Sequence, residues 1–344
     1  MCLNRYLFKC WRFYLACAIG ALLLSATDAP AATITVTNGN DSGPGSLRQA
    51  MLSAASGDTI NFAPSVTIVT LTSAELVIDK NLTTIGPGAD RLTVRVKPPP
   101  GFVSFRGFNI SSSTATVSIS GITISNGFAQ FGTGGGGILS AGVLTLTGCT
   151  ISGNFAGSDF GAGGGGGVMN DNGTMTITGC TISNNQEAGG QGGGGVLNEN
   201  GTMTITGCTI SNNSASGIAF ALIFTSEGGG ILNDLGSLII TNSTISGNTC
   251  FASGGDPFFP QFASTFGGGV DNSGSMTITN CTISGNSSVA TGDVTVDTAY
   301  GGGISNGAIF KLRAVPSHII LHQVISESVV GLVDLSQRQQ TAVS

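Results

Sequence analysis

The central part of this chain has no positively charged side chain. From residue 107 to residue 310 there is no lysine, arginine or histidine, whereas the same span has ten acidic residues. They are Asp159, Asp171, Glu187, Glu199, Glu227, Asp234, Asp256, Asp271, Asp293 and Asp297. Nucleic-acid binding requires lysine or arginine against phosphate groups, so this composition excludes a nucleic-acid partner for the span. It also leaves only carboxylate pairs or bound calcium for chemistry on a polysaccharide.

Long apolar segments are scarce as well. The longest one runs from Phe13 to Leu24 and is shorter than a typical membrane-spanning helix. Three cations precede it, and small residues at positions 29–31 follow it. This order is typical of a cleaved secretion signal, here residues 1–32. We therefore expect an exported protein at the cell surface, in the outer membrane or outside the cell, with no transmembrane span in the mature chain.

The rest of the chain is dominated by a repeat. Its clearest copy starts with the glycines at 165–167, alternates threonine with apolar residues from Met175 to Thr178, and ends at Asn185. Other copies cover residues 135–154, 193–213, 228–248 and 267–286, and a last one breaks off after Asn306. The alternation predicts half-buried strands, and Gly179 predicts a bend between two of them. About three strands and three bends per copy predict an all-β fold, a right-handed parallel β-helix over residues 107–307.

Two asparagine positions recur along the repeat. Coils that stack about 4.8 Å apart would align each position in a column. One column contains Asn170, Asn198, Asn233, Asn272 and Asn306, and the other contains Asn154, Asn185, Asn213, Asn248 and Asn286. Because a side-chain amide both donates and accepts hydrogen bonds, we expect each column to satisfy backbone groups at a bend.

Residues 33–106 are predicted to form the front end of the solenoid. Ser46 and Gln49 have the spacing of a helix capping box, and the helix is expected to stop at Gly57. This short N-terminal capping helix would cover the open strand edges of the first coil. The apolar stretches at 59–62, 66–71, 76–78 and 92–96 are interpreted as the first, less regular coils.

Five cysteines remain beyond residue 32, and none has the Cys-x-x-Cys or Cys/His spacing of a metal site. Four of them share one inward position of the repeat, namely Cys149, Cys180, Cys208 and Cys281. We interpret these as small buried apolar side chains, with a disulfide between neighbouring coils as the alternative. Cys250 lies in an insertion and is predicted to be the most accessible thiol.

The sequence assigns no catalytic, cofactor-binding or metal-binding residue. Asp171, Glu199 and Asp234 each follow a repeated asparagine and are expected to stack about 5 Å apart along one edge. The two interpretations are solvated acids at a bend and a site for a calcium ion. The glycine runs are not phosphate loops, because no Gly-Lys-Ser/Thr follows them.

Insertions concentrate between the second asparagine and the next glycine run. They cover residues 155–162, 214–227, 249–266 and 287–300, which a solenoid places side by side on one edge. Their aromatic residues are Phe155, Phe160, Phe220, Phe224, Phe251, Phe258, Phe259, Phe262, Phe266 and Tyr300. These rings either pin the insertions to the coil or form an apolar edge that recognises an extracellular carbohydrate or protein surface.

The outward threonines form Thr-x-Thr pairs that would stack from coil to coil. The pairs are Thr145/Thr147, Thr176/Thr178, Thr204/Thr206 and Thr277/Thr279. Their array is similar to the ice-binding face of some β-helical antifreeze proteins, although Ile239 interrupts it. Strand propensity explains exposed threonine by itself, so ice binding is a minor alternative.

Two short motifs of the repeat also occur in a known family. Gly167-Val168, Gly195-Val196, Gly230-Ile231, Gly269-Val270 and Gly303-Ile304 form the first motif, and residues 182–185, 245–248 and 283–286 form an Ile-Ser-x-Asn motif. The repeat resembles that of the polymorphic outer membrane proteins, which carry Gly-Gly-(Ala/Ile/Val) and Phe-x-x-Asn elements. Residues 33–38 and 45–51 resemble the start of exported bacterial β-helix proteins with a Cys-Ser-Leu-Arg-Glu-Ala hallmark. The resemblance implies surface display or secretion, often with an adhesive role.

Residues 308–344 depart from the repeat. They introduce Lys311, Arg313, Arg338, His318 and His322, and we interpret them as an atypical, truncated or frame-disrupted tail. For the whole chain we expect an exported, non-enzymatic, adhesin-like scaffold for surface or extracellular binding. The alternative is a polysaccharide lyase or hydrolase of the parallel β-helix type that uses carboxylates or calcium.

Overall fold

The computed structural model describes most of the chain as one continuous coil of strands. The described residues are 30–98, 100–101, 105–130, 133–157, 164–189, 192–217, 223–253, 262–291 and 298–313. Within them the chain forms 35 strands in five sheets and one short helix. The strands of each sheet pair in parallel, and neighbours in the repeat region come from successive copies of the repeat. The fold is a right-handed parallel β-helix, as predicted.

Three long sheets surround the core. Sheet 1 contains Thr33–Val36, Thr59–Phe62, Leu82–Ile85, Thr116–Ser120, Val143–Thr147, Thr174–Thr178, Thr202–Thr206, Ser237–Thr241, Ser275–Thr279 and Ile309–Arg313. Sheet 2 contains Ile68–Leu71, Thr93–Val96, Thr123–Ser125, Thr150–Ser152, Thr181–Ser183, Thr209–Ser211, Thr244–Ser246 and Thr282–Ser284. Sheet 3 contains Leu76–Ile78, Phe108–Ile110, Ile138–Ser140, Val168–Asp171, Val196–Glu199, Ile231–Asp234, Val270–Asn272 and Ile304–Asn306.

Two smaller sheets are built from the insertions and the residues next to them. Sheet 4 contains Phe128–Ala129, Phe155–Gly157, Gln186–Ala188, Ser214–Gly217, Thr249–Ser253 and Ser287–Thr291. Sheet 5 contains Ile223–Glu227, Phe262–Phe266 and Thr298–Tyr300. The insertions therefore lie side by side, as predicted. Their described parts are strands rather than loops, because the backbone of each one pairs with that of the next coil.

The alternating residues of sheet 1 face the core and the solvent in turn. In Thr174–Thr178, Met175 and Ile177 are fully buried, while Thr174 and Thr178 are exposed. Gly179 follows with a φ of 59°, in the left-handed region that glycine adopts without a steric penalty. The chain turns there from sheet 1 into sheet 2, and the same pattern repeats in the neighbouring coils.

The glycine run at 165–167 is explained by close packing. A Cβ atom at Gly166 would overlap the backbone carbonyl of Gln186 in sheet 4, and one at Gly167 would lie 2.9 Å from Nδ2 of Asn185. Any side chain at these two positions would push sheet 3 away from sheet 4 and from the asparagine column. The run therefore serves close packing between the sheets.

Both asparagine columns are continuous hydrogen-bonded ladders. In the first, Nδ2 of each residue donates to Oδ1 of the next from Asn170 through Asn198, Asn233 and Asn272 to Asn306, at 2.8, 2.6, 2.6 and 2.7 Å. In the second, the links run from Asn154 through Asn185, Asn213 and Asn248 to Asn286, at 2.9, 3.0, 2.9 and 2.9 Å. Each accepting oxygen of the second ladder also takes the backbone N–H of the preceding asparagine. The predicted structural role is confirmed.

The helix α1 (Leu47–Ser53) covers the first strand, against which it packs. Its N-cap is Ser46, whose Oγ accepts the backbone N–H of Gln49 at 3.2 Å. The predicted capping box is only half formed, because Nε2 of Gln49 donates to Ser53 instead of returning to Ser46. The helix also ends at Ser53, before the predicted stop at Gly57. No helix among the described residues is long and apolar enough to cross a membrane.

Candidate functional site

Sheets 4 and 5 together form a second layer beside the main coil, which we call the variable wall. Its inner side is closed by small and polar residues. Ala252 and Ala263 are fully buried, and the hydroxyl of Ser288 donates to that of Thr265 at 2.8 Å. This interior is separate from the large aliphatic core between sheets 1, 2 and 3.

Cys250 belongs to this interior, so the prediction that it is the most accessible thiol is wrong. It is fully buried, and its Sγ donates to the backbone oxygen of Ser226 at 2.9 Å. The reason is strand pairing. Thr249–Ser253 aligns with Ser214–Gly217, which turns Cys250 towards sheet 5. Burial is the main cause that raises the pKa of this thiol to about 12. Because the thiolate is the reactive form, Cys250 is a poor nucleophile.

The aromatic residues of the variable wall have two different roles. Phe128 stacks on Phe155 with ring centres 4.6 Å apart, and Phe266 stacks on Tyr300 at 5.0 Å, so these rings hold neighbouring coils together. Phe251 is 38% exposed instead, and it lies in register with Val289, which is 37% exposed. Phe224 and Phe262 lie in strands of sheet 5, and Phe160, Phe220, Phe258 and Phe259 lie outside the described residues.

Two carboxylates, the half-buried Glu227 and the buried Asp271, lie where the variable wall meets sheet 3. In the preceding coils, Gly164 packs so closely over Leu197 that a Cβ atom on the glycine would lie 2.8 Å from the leucine side chain. Backbone hydrogen bonds place Glu227 in the column that contains Gly164 and Gly192. Strand register places Asp271 in the column that contains Leu197 and Leu232. Glu227 therefore lies over Asp271 in the same way that Gly164 lies over Leu197.

This environment raises the pKa of both acids. Burial, followed by the charges of Asp271 and Asp234, raises the pKa of Glu227 to about 7. Burial raises the pKa of Asp271 to about 6, although a hydrogen bond from Ser305 opposes the shift. A carboxyl group that keeps its proton near neutral pH can act as a general acid, and its ionised neighbour can act as a base.

This pair was not predicted from the sequence, although the sequence contains a signal for it. Each acid on its own looks like one of the ten acids spread along the repeat. The signal is a pair of replacements in two neighbouring columns. Glu227 replaces the glycine of earlier coils in one column, and Asp271 replaces the leucine of earlier coils in the other. Only the coil geometry shows that the two columns are in contact.

The three acids that follow repeated asparagines do stack, as predicted. The N–H of Asn172 donates to the carbonyl of Glu199, and the N–H of Asn200 donates to that of Asp234, both at 2.9 Å. Burial, then the charges of Asp171 and Asp234, raises the pKa of Glu199. Among the described residues, no group of three or more His, Cys, Asp or Glu side chains is arranged to hold a metal ion. A calcium site at this column stays a prediction.

Sheets 1 and 2 present a hydroxyl-rich outer face. From Thr123–Ser125 to Thr282–Ser284, one outward column of sheet 2 contains only threonine and the other only serine, as in Thr181/Ser183 paired with Thr209/Ser211. On sheet 1, Thr176 aligns with Thr204, and then Ile239 interrupts the column with 43% of its side chain exposed. The predicted stacking of the threonines is confirmed, and so is the interruption.

The four cysteines of the repeat are buried, as predicted, but they are more than apolar fillers. Sγ of Cys180 accepts the backbone N–H of Cys149 at 3.3 Å, and Sγ of Cys208 accepts that of Cys180 at 3.4 Å. Ser243 occupies the same column and accepts the N–H of Cys208 at 3.1 Å through its hydroxyl. From Cys180 to Ser243 the position thus holds a small hydrogen-bond acceptor, a role that serine fills as well as cysteine, although Ile122 occupies the same position one coil before Cys149.

The comparison with protein families agrees with this architecture. The family model described as "Right handed beta helix region" matches residues 106–309, more than half of the chain. The chain belongs to this right-handed β-helix family. Among solved structures, the pectin methylesterase PemA from Erwinia chrysanthemi is similar with a TM-score of 0.43 and 11% identity, over 90% of this chain and 94% of that one. The ORF18 protein of Geobacillus virus E2 is similar with a TM-score of 0.34 and 13% identity, over 83% of this chain and 62% of that one. The comparison with curated proteins gave no significant match.

Proposed function

We propose that this protein is an exported, non-enzymatic β-helix scaffold that binds a neutral carbohydrate surface outside the cell through its variable wall. The supporting observation is the exposed apolar strip on sheet 4, where Phe251 and Val289 lie in register with their side chains partly in solvent. Flat aromatic and aliphatic surfaces suit the apolar faces of sugar rings. A neutral partner is favoured because residues 107–310 have ten acids and no cation, which disfavours an acidic polymer.

The wall is also suited to a binding role by its construction. Its strands lie on a rigid coil whose registers are fixed by the ladders Asn154–Asn286 and Asn170–Asn306. The segments that differ most in length between copies are gathered on this one side. Variation in length on a fixed frame is the usual way in which solenoid proteins acquire partner specificity. Display at the cell surface in the manner of the polymorphic outer membrane proteins is part of the same proposal.

The test is binding of the purified protein to immobilised neutral polysaccharides, measured by biolayer interferometry. Phe251→Ser should weaken binding at least about tenfold, because central aromatic contacts carry most of the energy of such surfaces. The matched control is Ile239→Thr, which removes an exposed apolar side chain from sheet 1 and should leave binding unchanged. Absence of binding to any neutral polysaccharide, or equal effects of the two variants, would overturn the proposal. Binding to a protein partner alone would also count against it.

A second candidate is a polysaccharide-acting enzyme that uses carboxylates. The observation that favours it is the Glu227–Asp271 pair, with pKa values of about 7 and about 6. Incubation with pectin and neutral polysaccharides, with calcium and with a chelator, separates the two functions. Turnover that is lost in both Glu227→Gln and Asp271→Asn would establish the enzyme and reject the scaffold. Ice binding stays a prediction, and the shape of ice crystals grown in a solution of the protein tests it.

A further inference from the structure

Three thiols stand in consecutive coils inside the solenoid, at the bend between sheets 1 and 2. They are Cys149, Cys180 and Cys208, and each is at most 2% exposed. The sulfur of Cys180 contacts the backbone N–H of Cys149, and the sulfur of Cys208 contacts that of Cys180. The thiol of Cys180 also lies within hydrogen-bonding reach of both neighbouring thiols. Cys180 is thus the shared member of two adjacent thiol pairs.

Strand register fixes how far apart these residues are. Thr150, Thr181 and Thr209, which follow the three cysteines directly, align in sheet 2 as partners in neighbouring strands. Neighbouring strands lie about 4.8 Å apart, and disulfides join Cα atoms about 4.4–6.8 Å apart. Adjacent cysteines of the stack therefore meet the distance requirement. Cys149 and Cys208 are two steps of about 4.8 Å apart and do not meet it.

The two remaining cysteines of the described chain are isolated from this stack. Ser243 separates Cys281 from Cys208, since its hydroxyl accepts the N–H of Cys208 and its own N–H donates to the sulfur of Cys281. Cys250 lies in the interior of the variable wall. Cys281 and Cys250 are therefore internal controls, because a disulfide that depends on the stack should not involve them.

We propose that Cys180 is an oxidation site that forms one disulfide with either Cys149 or Cys208 and so cross-links two adjacent coils. The oxidant is a small-molecule disulfide such as oxidised glutathione. A thiolate of the stack attacks it, forms a mixed disulfide and releases one glutathione thiol. The second thiolate of the pair then attacks the mixed disulfide and releases the other glutathione thiol. Two protein thiols lose two electrons and two protons, and the oxidant gains them.

Two physical conditions follow from the geometry. Because the thiols are buried in the closed coil, exchange takes place while the coils are still forming. Parallel neighbours must also bring their Cβ atoms from about 4.8 Å to about 3.8 Å, which strains the bond and makes it easy to reduce. The cross-link is therefore a labile one that responds to the redox state of the surroundings during folding.

The experiment refolds the full chain with oxidised glutathione, or with dithiothreitol as the reduced control, and then alkylates the free thiols. Far-UV circular dichroism verifies that the β-structure has re-formed. Digestion after Asp and Glu separates the cysteines, because Cys149, Cys180, Cys208, Cys250 and Cys281 fall in the peptides 91–159, 172–187, 200–227, 235–256 and 272–293. We expect peptide 172–187 to be joined to 91–159 or to 200–227 in most oxidised molecules. Full alkylation of Cys180 would overturn the proposal, and so would equal oxidation of Cys281.

Two variants make the test sharper, and both use residues that this column already accommodates. Cys180→Ser leaves Cys149 and Cys208 out of reach of each other, so both should be fully alkylated after oxidative refolding. Ser243→Cys fills the gap in the column, so peptide 272–293 should become cross-linked through Cys281. Disulfides that persist in Cys180→Ser, or a Cys281 that stays free in Ser243→Cys, would contradict the proposed dependence on adjacent coils.

Discussion

Glu227 occupies a column in which the two preceding coils have glycine. Its carboxylate makes the folding stability of the protein depend on pH. A glycine there lets Leu197 pack without a gap, whereas Glu227 and Asp271 bring two acidic groups together. The raised pKa of about 7 means that the folded chain keeps a proton on Glu227 that the unfolded chain releases near its ordinary value of 4.5. Stability is therefore lost as the pH rises from 4.5 to about 7, and the penalty is complete above that range.

This predicts a stabilising substitution. Glu227→Gln removes the charge but keeps the size of the side chain, so it should raise the free energy of unfolding at pH 8 by about 1–3 kcal/mol. At pH 4 the substitution should have little effect, because the carboxyl group is protonated in both states. Urea unfolding at several pH values measures the difference. Asp79→Asn, at an exposed site, controls for net charge. An equal gain in that variant, or a gain for Glu227→Gln at pH 4, would contradict the explanation.

At the scale of elements, the asparagine ladders join the coils through side chains as well as through the sheets. Oδ1 of Asn213 accepts both the backbone N–H and Nδ2 of Asn185 at 3.0 Å. Nδ2 of Asn213 donates to the carbonyl of Ile182 at 3.0 Å and to Asn248 at 2.9 Å. All these groups are buried, so removing one amide leaves several partners without a hydrogen bond.

We therefore expect Asn213→Ala to destabilise the protein by about 3 kcal/mol or more, because each unsatisfied buried group costs about 1–3 kcal/mol. Urea unfolding followed by circular dichroism provides the measurement. The matched control is Asn212→Gly at the adjacent exposed position. Asn212 has a φ of 55°, and Gly247 and Gly285 occupy the same position in later coils with φ values of 64° and 63°. If the two variants lose the same stability, the ladder does not have this role.

The front helix gives a second prediction at this scale. Oγ of Ser46 accepts the N–H of Gln49 and donates to the carbonyl of Gly43 at 2.8 Å. Ser46→Ala should therefore cost about 1 kcal/mol. Ser53→Ala, at the exposed end of α1, removes a serine that caps no backbone group and should be nearly neutral. Thermal unfolding of the two variants compares them, and a larger loss from Ser53→Ala would contradict the assigned N-cap.

For the whole molecule, the sequence predicts the features that recur in every copy of the repeat, but not those found in a single coil or in the insertions. The alternation around Met175, the bend at Gly179 and the two ladders follow from one copy of the repeat combined with stacking. The burial of Cys250 and the strand character of the insertions depend on pairing between segments that have little sequence in common. The strand Leu82–Ile85 was missed for a similar reason, since it lies outside the regular copies. The Glu227–Asp271 pair could be predicted only if it were known that the column of Glu227 lies over the column of Asp271.

The charge distribution gives a prediction for the molecule as a whole. Residues 107–310 carry ten acids without a cation, and Asp171, Glu199 and Asp234 stack on one edge, where burial and then the neighbouring charges raise the pKa of Glu199. Like charges this close repel each other most at low ionic strength, because the screening length shortens as salt is added. Raising sodium chloride to about 0.3 M at pH 8 should therefore increase the melting temperature. At pH 4, below the raised pKa of Glu199, this central carboxyl group is mostly protonated, so the same addition should have a smaller effect.

The triple variant Asp171→Asn, Glu199→Gln, Asp234→Asn distinguishes charge repulsion within this column from a general effect of salt on the stability that apolar burial provides. Removing the stacked charges should raise the melting temperature at low salt and reduce the response to sodium chloride at pH 8. Potassium chloride should act like sodium chloride, because screening depends on ionic strength rather than on the identity of a monovalent ion. Calcium added at constant ionic strength should have no extra effect on the parent chain if the column is only a row of solvated acids. A saturable rise in melting temperature with calcium, absent from the triple variant, would instead establish a cation site on this edge.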